Sequence, residues 1–198
     1  MIGAAGAIAL ALAGCGSGAG ESAATPAAAP AVTSAEVTGV VPRNAIVTLL
    51  PAAADPPMPA EPAVMDQISK QFLPAVLVAR VGQSVEFRNS EDMPHNVAVT
   101  RRGSGTEVFN VGTEPHQKYA HTFDRIGQFD VKCDIHEGME AIVIVASGPV
   151  TTIAEDDGRF SFANVAPGSY KLSITFEGQT VERPLEVSGP KTSFKFAR

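Results

Sequence analysis

The stretch from Gly127 to Val145, GQFDVKCDIHEGMEAIVIV, sets Cys133, His136 and Met139 three residues apart between two alternating apolar strand patterns. One loop therefore offers a thiolate, an imidazole and a thioether to a single point, and strands on either side fix its ends. Working outward, AVLVARVGQSVEFRN (75–89) and YAHTF (119–123) keep the same two-residue alternation, while long apolar patterns of period 3.6 are missing. The expected fold class is all-β.

A second imidazole lies upstream in EDMPHNVAVT (91–100), where Pro94 fixes the entry of the chain and the residues after His95 alternate as a strand. The donor set is then two His, one Cys and one Met. Soft sulfur with imidazole selects copper among biological metals, and two His and one Cys in a plane under a weak axial Met describe a blue-copper electron-transfer site. On the alternative reading, Cys133 and Met139 are core residues and the histidine pair is incidental. Of the other histidines, His116 follows Pro115 in a polar connection and is expected to be solvated. His121 shares a strand face with Tyr119 and Phe123 and is expected to point inward or to lie at a sheet edge.

Composition narrows the field. Charged residues are 18% of the 198, the net charge is −6, and the 15 Lys and Arg form no run longer than Arg101–Arg102, so nucleic-acid binding has no electrostatic basis. Ten Phe, two Tyr and no Trp suit a small β-rich core.

Residues 2–14 form an apolar stretch of signal-peptide length, far short of the ~20 residues of a spanning helix. The stretch ends in Leu12-Ala13-Gly14-Cys15, which resembles a bacterial lipobox, although no basic residue precedes it. The resemblance implies a lipoprotein signal peptide over 1–15, lipidation of Cys15 and membrane attachment through that anchor. A plain secretory signal with an incidental Cys15 is the alternative. Residues 16–35, rich in small residues and Pro, read as a flexible tether. Gly16 behind the lipidated residue implies the periplasmic face of the outer membrane or the cell surface. Lipidation of Cys15 would leave Cys133 as the one free thiol of an exported protein, which favours burial or metal ligation.

From about Ala63 to Val145 the chain resembles the cupredoxins of the amicyanin and plastocyanin type, on the Cys-x-x-His-x-x-Met loop and the run Met93-Pro-His-Asn-Val97. The resemblance implies a Greek-key β-sandwich over 63–146 that binds one copper ion (Cu+/Cu2+) through His95, Cys133, His136 and Met139. It also implies that Asn96 braces the ligand loop, that His136 is the electron port, and that the partner is a redox protein such as a c-type cytochrome or a dehydrogenase. Glu137 and Gly138 depart from the Pro and Phe that follow the loop histidine in the family, which puts an apolar docking patch in doubt.

A further pattern follows: Asp157-Gly-Arg-Phe160 and Pro167-Gly-Ser-Tyr170 resemble the carboxypeptidase regulatory-like, or transthyretin-like, β-sandwich. Its early strands are not evident after residue 147, but VTGVV (37–41) and AIVTLL (45–50) could supply them. Residues 36–51 and 148–198 are therefore expected to form one split sandwich into which the copper domain is inserted, with the Pro-rich segment 52–62 as one arm. The alternative adds 37–50 to the cupredoxin as edge strands. The expected function is periplasmic single-electron transfer without enzymatic turnover. Its rivals are a copper carrier or storage lipoprotein and a purely structural β-sandwich.

Overall fold

The computed structural model describes residues 34–197, so the lipobox, Cys15 and nearly all of the tether lie outside the described residues. Every regular element among the described residues is a strand, and the fold is all-β. Residues 63–146 form two facing sheets. One has the order β5 (Val76–Arg80), β11 (Glu140–Ala146), β10 (Gly127–Lys132), β7 (His95–Arg101), β8 (Glu107–Thr113). The other runs β4 (Gln71–Leu73), β3 (Ala63–Ile68), β6 (Ser84–Asn89), β9 (Lys118–Thr122). Inward side chains of both sheets, among them Met65, Phe87, Val97, Val131 and Val143, make one core.

The stretch 75–89 is two strands that belong to different sheets. β5 pairs with β11 in one sheet and β6 with β3 and β9 in the other, so the turn carries the chain across the sandwich. Gly82 takes φ +84 there, a conformation that glycine adopts without a Cβ penalty.

The remaining strands form two more sheets. β1 (Ala35–Val40) lies between β13 (Arg159–Val165) and β16 (Lys191–Lys195). β2 (Ile46–Pro51) lies between β12 (Thr151–Ile153) and β14 (Gly168–Phe176), with β15 (Gln179–Val187) outside β14. Val37, Val47 and Leu49 share a core with Phe160, Phe162, Leu172 and Ile174, more than 100 positions later. β12 is a strand after residue 147 that the sequence pattern did not reveal.

β2 and β11 are buried on both faces. Val47 and Leu49 face the core they share with β14, while Ile46 packs with Ile144 and Ala146 of β11. Val143 and Val145 face the opposite way, into the 63–146 core. The segment 52–62 is tied down as well: the Arg80 guanidinium donates to the Pro56 and Pro57 carbonyls at 2.6 and 2.8 Å, and Lys171 pairs with Asp55 at 3.1 Å.

Leu172, on β14 beside Leu49 of β2, is fully buried. Leu172→Ala should cost about 2–5 kcal/mol of stability in urea unfolding; a loss below 1 kcal/mol would show that this core does not depend on the long-range packing.

Candidate metal centre

The centre is assembled by strand order. β7 pairs with β10 on one side and β8 on the other, so His95 at the start of β7 lies beside Cys133, the residue after β10. The Cys133 N–H donates to the Met139 carbonyl at 3.0 Å and closes the loop, with Gly138 at φ +75 supplying the reversal.

Three donor atoms converge. The His95 and His136 Nδ1 atoms are 3.0 Å apart, and the Cys133 Sγ lies 3.8 Å from the first and 3.6 Å from the second. A trigonal ion with nitrogen ligands at about 2.0 Å and sulfur at about 2.3 Å holds its donors about 3.5–3.7 Å apart. The two sulfur edges here have that size and the nitrogen edge is about 0.5 Å tighter, so the residues fit one metal ion. Burial, partly offset by the Glu91 carboxylate, pushes the His95 imidazole below its ordinary pKa, the direction that favours a neutral ring with a lone pair for a cation. Met139 is 1% exposed and lines the same cleft as Cys133 and His136.

The loop is braced from β7. The Asn96 Oδ1 accepts the Asp134 N–H at 2.6 Å, while its Nδ2 donates to the Asp134 carboxylate at 2.9 Å and to Asn110 at 2.8 Å. Asn110 adds its own bond to Asp134 at 3.0 Å. Asn96 was expected in this role from the family resemblance. Asp134 and Asn110 were not, because Asn110 reaches them only through the β7–β8 pairing. On the other side of His95, the Asn89 Nδ2 donates to the Met93 and Thr113 carbonyls and fixes the approach to the ligand.

The two remaining histidines stand apart from the donor group. His116 is exposed and its Nε2 lies 2.9 Å from Asp92. His121, on the edge strand β9, sits between the Phe109 and Phe123 rings with centroids 4.7 Å from each, and burial lowers its pKa. Glu137 is exposed, as is Ile135 beside the half-buried His136.

Residues 63–146 match the model of the copper-binding proteins of the plastocyanin/azurin family. The chain belongs to that family. Among its relatives is amicyanin from Paracoccus versutus, 35% identical over 95 residues that make up 48% of this chain and 70% of the relative. The solved structure of that amicyanin is 29% identical, covers 52% of this chain and 99% of its own, and gives a TM-score of 0.40. A purple cupredoxin from Nitrosopumilus maritimus is 21% identical over 42% of this chain and 99% of its own, with a TM-score of 0.39.

Asn96→Ala removes the acceptor for the Asp134 amide together with two donor contacts. It should cost about 1–3 kcal/mol in urea unfolding and speed copper release; a variant with wild-type stability and release would show that the brace is dispensable.

Proposed function

We propose that the protein is an exported type 1 copper protein that carries single electrons between periplasmic redox partners. The observation that carries the reading is the convergence of one thiol and two imidazole Nδ1 atoms, with a buried thioether in the same closed loop. Copper held there supplies a one-electron Cu(II)/Cu(I) couple. Cys133 would hold the ion through its thiolate, with His95 as the buried imidazole and His136 as the imidazole nearest the surface. Met139 would supply a weak thioether donor that tunes the potential. Because Asn96 and the Cys133–Met139 bond hold the loop, the donors keep nearly one arrangement in both charge states, which favours fast transfer. Electrons would pass through His136 to a partner such as a c-type cytochrome or a dehydrogenase.

Anchoring through a lipidated Cys15 at the periplasmic face of the outer membrane or the cell surface completes the reading, supported by the Leu12–Cys15 motif. The nested organisation, with the copper domain inserted into a transthyretin-like sandwich of 36–51 and 148–198, is supported by the pairing of β1 with β13 and β16 and of β2 with β12 and β14. That sandwich is assigned a docking or spacer role.

The test is redox cycling of the copper-loaded protein: a blue form should bleach with ascorbate and recover with ferricyanide, and Cys133→Ser should abolish the colour. A Cu(I) form that resists oxidation would replace electron transfer with copper carriage. A Cys133→Ser variant that keeps both colour and copper stoichiometry would refute the ligand assignment.

Met139→Gln should keep copper but lower the potential, since an oxygen donor favours Cu(II) over Cu(I) more than a thioether does. An unchanged potential would show that Met139 does not act on the copper ion. For the anchor, the wild type should partition with membranes and Cys15→Ala should not; a wholly soluble wild type whose mature N-terminus is not Cys15 would remove that claim.

A further inference from the structure

One nitrogen of His95 takes no part in the donor triangle. Its Nε2 is buried without a hydrogen-bond partner, on a side chain with no exposed surface. A buried polar group left in that state costs about 1–3 kcal/mol. The Glu91 Oε1 lies 3.6 Å away, too far for a hydrogen bond but close enough for its charge to act on the ring dipole, and on an ion at Nδ1, in a site shielded from water.

Glu91 is itself held in place. The same Oε1 accepts the Lys70 N–H at 2.7 Å, and Lys70 with Ser69 forms the two-residue turn between β3 and β4, both at positive φ. The Glu91 N–H donates to the Asn89 Oδ1 at 3.0 Å, and Asn89 also fixes the Met93 carbonyl. A strained turn and a buried Asn thus aim one carboxylate at the back of one imidazole. The side chain of Glu91 is only 15% exposed, so solvent screens its charge weakly.

We infer that Glu91 is a positioning residue for the copper centre: its carboxylate serves the second nitrogen of His95, keeps Nδ1 turned toward Cys133 and His136, and biases the site toward Cu(II). The inference rests on the electron-carrier reading above. With Nδ1 as the ligand atom, the ring proton sits on Nε2 and faces the carboxylate, and a carboxylate behind a ligating imidazole makes that imidazole the stronger donor. Negative charge there favours the more highly charged copper state, so Glu91 lowers the reduction potential.

The experiment compares the potentials of the copper-loaded wild type and Glu91→Gln by voltammetry. The Gln amide oxygen can still accept the Lys70 N–H, so the clamp survives while the charge is removed. The variant should retain its visible band and its thermal midpoint and lose about tenfold or more in Cu(II) affinity relative to Cu(I), read as a potential raised by about 59 mV per tenfold. An unchanged or lowered potential overturns the inference. Should Glu91→Gln fail to fold, Glu91→Asp, whose shorter side chain draws the charge back, decides by the same sign: a rise supports the role and no rise overturns it. A wild type that takes up copper without a blue band removes the electron-carrier reading itself, and this inference with it.

Discussion

The hydrogen bond from the Asp134 N–H to the Asn96 side chain, at 2.6 Å, joins the two pieces of chain that carry the donor atoms. Asn96 follows His95 on a central strand, and Asp134 follows Cys133 at the head of the ligand loop. Without that tie, the triangle of 3.0, 3.6 and 3.8 Å would be held only by the β7–β10 pairing and the Cys133–Met139 closure, and His136 would be free to move with the loop. A site that changes charge without changing shape needs such a brace, because movement of the donors adds directly to the barrier for electron transfer. Asn96 is buried whereas Asp134 and Asn110 are exposed, so water competes least for the bonds that Asn96 makes.

A second constraint lies away from the metal centre. β2 and β11 are buried on both faces, and Ile46, Ile144 and Ala146 close the space between the two sandwiches. Strands covered on both faces cannot alternate, which is why AIVIVA and IVTLL read as unbroken or nearly unbroken apolar runs. With Arg80 holding the 52–62 segment, the two packed regions share a dry seam and a fixed strap. β11 also forms one wall of the ligand loop, so the seam supports the centre from behind.

Much of this was legible in the residues. Cys133, His136 and Met139 fall within one short loop, where spacing alone brings side chains together, and the all-β class follows from the alternation around it. The long-range core of Val37 and Val47 with Phe160 and Leu172 could be anticipated because the later segment lacked strands that the earlier one could supply. What escaped was whatever strand pairing creates. Asn110 meets Asp134 only across the β7–β8 ladder, and Glu91 meets His95 only because the β3–β4 turn holds it there. β12 is three residues long and too short to show a period. β15 carries little strand pattern because it is polar on most positions and contains Pro184, which an edge strand tolerates because its outer side needs no ladder hydrogen bond. The crossing of β5 and β6 between sheets was hidden because both strands carry the same alternation and only their partners differ.

The most direct measurement is a copper titration followed by visible absorption and electron paramagnetic resonance. The account predicts saturation at one copper per chain with an intense thiolate-to-copper charge-transfer band that vanishes on reduction. Saturation at one copper without that band, or no uptake at all, would contradict the assignment of Cys133 as a copper ligand and with it the central claim.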